Sequence, residues 1–184
     1  SLSTLKPAPL YQPQNIDMVT SCTYDDDLEK IAEADWVLEA VVERLDIKEL
    51  IYQKLLPHLK PETILTSNTS GIPLNDLTAS LPEDVKQRFM ITHFFNPPRY
   101  MRLVEIIKSD KTNIDMVDYM SEFMESKLGK GVVMAKDTPN FIANRIGVFG
   151  MMVTLQEAKA HKISIEDVDA LTGTIIGRPK SATF

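Results

Sequence analysis

Between Trp36 and Lys136, short apolar runs alternate with stretches of helical period, and this alternation limits the fold more than any other feature. Residues 36–42 read as a buried strand, and a helix follows from about Leu45 to Leu59, with Ile47, Leu50, Ile51 and Leu55 at helical spacing and Pro61 at its end. Residues 63–67 form the next strand, and Pro73 and Pro82 each open a short helix. Phe89-Met90-Ile91 and Leu103-Val104-Glu105-Ile106-Ile107 read as two further buried strands, separated by a turn at Pro97-Pro98, where proline cannot continue a ladder. Asn113 caps a helix to Lys127 or Leu128, with Met116, Val117, Met120, Phe123 and Met124 as a core stripe; Gly129 ends it, and residues 131–136 are another strand. This order predicts an α/β fold: a largely parallel sheet with helices on its faces. In such sheets ligands sit outside the carboxyl ends of the strands, which is where Glu43, Ser70 and Asn96 fall.

The flanks read differently. Residues 1–16 hold three of the eleven prolines and no hydrophobic period, so they are expected to be an arm or linker. Residues 19–23 are a plausible short strand, and Asp25-Asp26-Asp27 a helix start, with Leu28, Ile31 and Ala32 on the inner face. Three adjacent aspartates point in different directions, so they make a poor metal site. Pro139 is expected to open a long helix through Phe141, Ile142, Ile146, Phe149, Met152, Val153 and Leu155 to about Ala160; it is apolar nearly all round and should be buried on more than one side. Ser164 caps a last helix, with Asp167 in the capping-box position. The alternation stops near Asp137, so the divisions expected are 1–16, 17–137 and 138–184.

Within the sheet, His93 lies near the exit of one strand and Glu105 inside the next. A carboxylate among valine, leucine and isoleucine is costly to bury without a partner. An imidazole is the nearest plausible one, and such a pair fixes the ring's tautomer and raises its basicity, as a general base near neutral pH requires. A structural or solvent-facing histidine is the competing reading of the pattern alone. The formal net charge of −6 argues against nucleic acid or an anionic membrane surface as partner. No apolar run approaches the roughly 18–20 residues that span a bilayer, so membrane insertion is not expected. A single cysteine, Cys22, excludes an internal disulfide and suits a reducing, cytoplasmic setting.

Several segments carry a resemblance. His93-Phe94-Phe95-Asn96-Pro97 with Val104-Glu105-Ile106-Ile107 closely resembles the active-site segment of the L-3-hydroxyacyl-CoA dehydrogenases. Ser67-Asn68-Thr69-Ser70, Glu39-Ala40-Val41-Val42-Glu43 with Lys48, and Lys136-Asp137-Thr138-Pro139-Asn140-Phe141-Ile142-Ala143-Asn144-Arg145 resemble further family segments in the same order, over roughly residues 19–184. The resemblance implies that His93 is the general base and that Glu105 orients it. It implies Ser70 and Asn144 as substrate contacts, and Ala40, Glu43, Lys48, Asn68, Ser70 and Asn96 as contacts to NAD. It implies oxidation of an L-3-hydroxyacyl-CoA in fatty acid β-oxidation, a Rossmann-type cofactor domain over 17–137, a helical substrate and dimerisation domain beginning at 138, and a homo-oligomer in the complete protein. The family usually has glycine where this chain has Asn140. The ending Gly177-Arg178-Pro179-Lys180-Ser181-Ala182-Thr183-Phe184 looks most like long bacterial-type members that also carry an enoyl-CoA hydratase-like segment.

Taken singly, these residues have plainer readings: a solvated charge for Lys48, a helix-terminus carboxylate for Glu43, a turn residue for Ser70, a polar spot in a packed helix for Asn144. There is also a departure. None of the seven glycines falls in a Gly-x-Gly-x-x-Gly loop, the backbone cradle for a dinucleotide pyrophosphate. The expectation is therefore a chain that lacks the first βαβ unit, starts partway through the cofactor domain, stops early in the helical one, and by itself binds NAD weakly. Two alternatives stand beside it: a related hydroxy-acid or 3-hydroxybutyryl-CoA dehydrogenase, and a non-catalytic, crystallin-like structural homologue.

Overall fold

The computed structural model describes residues 2, 4–178 and 182–184; Pro179, Lys180 and Ser181 of the terminal segment lie outside the described residues. The chain divides into two compact units, Ser1–Phe141 and Ile142–Phe184.

The first unit is built on a five-stranded sheet in the order β1 (Trp36–Glu39), β2 (Ile64–Ser67), β3 (Phe89–Phe94), β4 (Leu103–Ile107), β5 (Gly131–Ala135). Strands β1, β2 and β3 are mutually parallel, β4 runs antiparallel to β3, and β5 is parallel to β4. This is the largely parallel, Rossmann-like α/β arrangement expected from the alternation. Helices α1 (Leu45–Leu55), α2 (Leu74–Thr78), α3 (Glu83–Gln87) and α4 (Ile114–Ser126) connect the strands. Successive strand residues face opposite ways, and the core divides accordingly. Phe89, Ile91 and Ile107 pack with Tyr52, Leu55, Leu74 and Leu77 of α1 and α2. Met90, Val104 and Ile106 pack with Val117, Met120 and Met124 of α4. The methionine stripe of α4 is thus core, and Asn113 caps the helix by accepting the Asp115 N–H at 2.9 Å.

Three expectations are corrected. Residues 19–23 form no strand; Asp27 Oδ2 accepts the Thr23 N–H at 2.8 Å, and the aspartate run closes a turn before a 3-10 segment, Leu28–Glu33. Short acidic side chains that bond nearby backbone favour such turns over ladders. Within the expected arm, residues 8–11 are held by Arg99: its Nη1 donates to the carbonyls of Ala8 (2.7 Å) and Leu10 (2.8 Å), and its guanidinium stacks 4.2 Å from the Tyr11 ring centroid. Helix α1 presents a different face from the one its apolar period suggests. Lys48, Tyr52 and Leu55 are buried, while Leu50 is 55% exposed. The cause is a buried carboxylate at the end of β1, described below.

The third correction concerns the second unit, α5 (Ala143–His161) and α6 (Ile165–Thr172) with a 3-10 turn at Thr174–Ile176. Pro139 does not open α5. Asn140 and Phe141 take positive φ (63° and 49°), and helix begins only at Ala143. A left-handed residue suits glycine best, but asparagine tolerates it, which accounts for Asn140 at this position. Nor is α5 buried on more than one side: Ala158 is its one buried residue, and Phe149 is 70% exposed. Within its unit the described elements that can cover it are only α6 and the short turn. Ser164 caps α6 as expected, accepting the Asp167 N–H at 3.1 Å. The division at Phe141 falls just past Asp137. Asp137 Oδ2 accepts the Leu74 N–H at 3.0 Å and Phe141 sits in the α1/α2 core, so both stay with the first unit. Among the described residues no helix is long and apolar enough to cross a membrane.

Candidate active site

His93 and Glu105 are register partners across the antiparallel β3–β4 pair. Their side chains point to the face shared with Ile91 and Ile107, and His93 Nδ1 lies 2.8 Å from Glu105 Oε2. Both are buried, His93 at 3% and Glu105 at 0% exposure. An ionised carboxylate accepts, so this bond sets the tautomer with hydrogen on Nδ1 and commits Nε2 to accept a proton. The ring is walled by Phe95 (centroids 4.5 Å apart) and Phe141 (5.5 Å), both edge-on. Phe141 holds this place with a positive φ that a bulky residue rarely adopts. Burying the ring beside the imidazole offsets a cost on the order of 1–3 kcal/mol.

A second cluster gathers at the carboxyl ends of β1 and β2, around a residue the sequence reading passed over. The Glu39 side chain is fully buried. It accepts from Val41 N–H (2.7 Å), Lys48 Nζ (2.8 and 3.0 Å), Tyr52 Oη (3.0 Å) and Ser67 Oγ (2.7 Å). This carboxylate draws Lys48 and Tyr52, one helical turn apart, to the inner face of α1. Burial, and then the Glu39 charge, push the Tyr52 hydroxyl far above its ordinary pKa, so it stays a donor. The reading of Lys48 as a solvated charge therefore fails: its side chain is 1% exposed, and its ammonium reaches on to Glu43 Oε2 at 3.3 Å.

Glu43 in turn grips the loop after β2. Its Oε1 accepts from Thr69 Oγ1 (2.5 Å), Ser70 N–H (2.9 Å) and Gly71 N–H (3.2 Å). Burial acts to raise the Glu43 carboxyl. The bonds from Thr69 and Ser70, with the charge of Lys48, outweigh it and hold the carboxyl below the usual range. The helix-terminus reading of Glu43 gives way to a bridge between two loops. A period-based search misses Glu39 because its signal is local: an acidic residue inside an apolar run, the same signal that pointed to Glu105.

Asn68 joins the two clusters. Its Oδ1 accepts the Phe94 N–H at 2.9 Å, and its own N–H donates to Glu39 O at 2.8 Å. Ala40, Ser70 and Asn96 are exposed just past β1, β2 and β3, on the sheet edge where ligands bind in such folds. Beyond Asn96 the turn is held by Lys130, whose ammonium donates to the carbonyls of Pro98 and Met101. Burial lowers the Lys130 pKa. Asn144 belongs to α5 of the second unit. The structure thus brings His93 and Glu105 into contact, links Glu43 to Lys48 by an ion pair and to Ser70 by a hydrogen bond, and ties Asn68 to the His93 strand.

The buried His–Glu pair lies within the segments that carry the resemblance, and comparison with known proteins shows the family. The family model described as "3-hydroxyacyl-CoA dehydrogenase, NAD binding domain" matches residues 3–138. The chain belongs to this family. A Bacillus subtilis (strain 168) protein named as a 3-hydroxyacyl-CoA dehydrogenase is 49% identical over 179 residues, which is 97% of this chain and 23% of the relative. A Rickettsia felis protein named as a fatty acid oxidation complex trifunctional enzyme is 40% identical over 184 residues, covering 100% of this chain and 26% of its own length. Among solved structures, (S)-3-hydroxybutyryl-CoA dehydrogenase from Ralstonia eutropha superposes with a TM-score of 0.73 at 28% identity, covering 86% of this chain and 54% of that one. The chain therefore spans about a quarter of the length of these two sequence relatives.

NAD is the cofactor of the 3-hydroxyacyl-CoA dehydrogenase family domain matched here. The residues present fit one part of it. Glu43 offers a half-exposed carboxylate (46%) beside the small, exposed Ala40 and Ser70, which suits the hydroxyls of a ribose. The sequence holds no glycine-rich loop to match the pyrophosphate.

Proposed function

We propose that the protein oxidises the 3-hydroxyl of an L-3-hydroxyacyl-CoA to a ketone in fatty acid oxidation, with NAD as oxidant. The single observation that carries this reading is the buried His93–Glu105 pair at 2.8 Å, within the matched family domain. In this reading His93 Nε2 takes the hydroxyl proton, and Glu105 holds the ring and stabilises the imidazolium that forms. A positioned base of this kind is worth about 10²–10⁴ in rate. Bound NAD supplies the acceptor for the hydride from C3. Ser70 and Asn144 orient the substrate oxygen. Ala40, Glu43, Asn68 and Asn96 line the nicotinamide-ribose side, with Lys48 behind Glu43. Phe95 and Phe141 keep water from the imidazole.

We assign residues 17–137 to the cofactor domain, residues 138–184 to the substrate-side helical domain and residues 1–16 to an arm. The exposed apolar side chains of α5 favour a homo-oligomer in the complete protein, and the exposed free thiol of Cys22 suits the cytoplasm. The sequence by itself should bind NAD weakly for want of a phosphate loop; ordinary micromolar binding of NADH to residues 1–184 alone would overturn that.

The deciding experiment is NADH oxidation with acetoacetyl-CoA by the full-length protein, wild type against His93→Gln. The expected result is a loss of kcat on the order of 10²–10⁴ with acetoacetyl-CoA binding retained. Equal rates would remove His93 from the chemistry. Activity with free acetoacetate in place of the thioester would point to a hydroxy acid without CoA.

A further inference from the structure

The mechanism above leaves the buried Glu39 carboxylate without a role. Four side-chain and backbone donors converge on its fully buried side chain: Val41 N–H, Lys48 Nζ, Tyr52 Oη and Ser67 Oγ. A structural need alone would be met more cheaply by apolar residues, since a buried ion pair often contributes no more than a well-packed hydrophobic replacement. What the cluster gains is position. Lys48 Nζ is pinned against Glu39 and presents its remaining face to Glu43 Oε2 at 3.3 Å. Glu43 is then fixed from two sides, by Lys48 and by the donors of Thr69, Ser70 and Gly71. The path Glu39–Lys48–Glu43–Ser70, of hydrogen bonds and the Lys48–Glu43 ion pair, therefore runs from the core out to the loop at the carboxyl end of β2. Asn68, in that same loop, bonds to the backbone of Glu39.

The geometry points to Glu39 as a positioning residue for cofactor binding, acting through Lys48 on Glu43; this rests on the reading of Glu43 as a cofactor contact. Two carboxylates share one ammonium here, and Lys48 gives both oxygens of Glu39 its shorter bonds (2.8 and 3.0 Å). Glu43 is held by the longer one and by the loop, so one of its oxygens stays available as an acceptor for a ribose hydroxyl. Without Glu39, Lys48 would swing fully onto Glu43 and occupy that acceptor.

The test is a double-mutant cycle on NADH affinity in the full-length protein, read by fluorescence titration: wild type, Glu43→Gln, Glu39→Gln and the double variant. Each single variant is expected to weaken NADH about tenfold, about 1.4 kcal/mol. The double is expected to bind within about twofold of Glu43→Gln, because Glu39 has nothing left to position. Losses that multiply to about a hundredfold would overturn the inference, as would wild-type affinity in Glu39→Gln. Wild-type affinity in Glu43→Gln would instead remove Glu43 from the cofactor site and take the inference with it. If Glu39→Gln does not fold, Tyr52→Phe removes one donor to Glu39 without touching the outer loop. It should weaken NADH about two- to threefold in the wild-type background and not at all with Glu43→Gln; equal weakening in both would be the overturning result.

Discussion

Replacing Glu105 by glutamine isolates what the carboxylate's charge does. Glutamine keeps the volume and, with its carbonyl oxygen toward the ring, still accepts the Nδ1–H bond now made at 2.8 Å. The tautomer and ring orientation are then preserved, and only the charge opposite the imidazolium is lost. A bond to a charged partner is worth about 1.5–3 kcal/mol and a neutral one about 0.5–1.5, so the variant should lose roughly 1–2 kcal/mol of transition-state stabilisation. At about 1.4 kcal/mol per decade that is a fall in kcat of roughly 5- to 30-fold. Screening does little to reduce it, because Glu105 is 0% and His93 3% exposed. The same burial keeps Glu105 away from substrate, so KM for acetoacetyl-CoA should hold. Steady-state NADH oxidation at saturating NADH measures both constants. A kcat within about twofold of wild type would refute the argument that the charge is used, and a raised KM at unchanged kcat would place Glu105 in binding instead.

Two further predictions concern the Glu39 cluster. Lys48→Met leaves a buried carboxylate without its cation and should cost about 3–5 kcal/mol in urea unfolding; a loss under about 1 kcal/mol would mean that the pair is not dry. Glu43 makes the first unit sensitive to acid. Its carboxyl sits below the usual range when folded, so the bonds it accepts stabilise the fold at pH above the unfolded carboxylate's pKa. They are lost as pH falls through the lower, folded value. The stability gap between wild type and Glu43→Gln should thus be full near pH 7 and shrink below about pH 4. A gap constant down to pH 3 would contradict this.

The strands and their order were legible because each is a short apolar run bounded by turn residues, and in β2 all four residues are buried. The His93–Glu105 pair was legible because a carboxylate inside such a run requires a partner. The face of α1 was not. Period counts weigh only apolar side chains, and here Lys48 and Tyr52 go inward because a buried carboxylate offers more than Leu50 could gain by burial. The failure at residues 19–23 has another origin: Thr23 and the aspartates bond to one another, and no ladder competes. For α5, the apolar pattern reported a helix correctly and its surroundings not at all, since burial depends on which elements lie nearby. Asn144 belongs to the second unit, and its assignment rests on resemblance.

Register is what converts these separate signals into a site. The two side chains are twelve positions apart in sequence, and they meet only because β4 folds back on β3 with His93 opposite Glu105 and Thr92 opposite Ile106. A slip of one residue would turn every β4 side chain to the other face. Glu105 would then point among Met120 and Met124 of α4, where the cluster around it is apolar. Ile106 would turn toward the imidazole. An uncompensated carboxylate in that apolar cluster would cost several kcal/mol, comparable to the stability of a whole domain. The second neighbour of β4 opposes the slip as well, since β5 pairs along its full length from Leu103–Gly131 to Ile107–Ala135. The same burial that makes Glu105 useful to His93 therefore selects the alignment that brings them together. The geometry proposed for catalysis and the specificity of the fold rest here on one interaction, and Glu105→Leu should retain the fold while losing the energetic reason for its register.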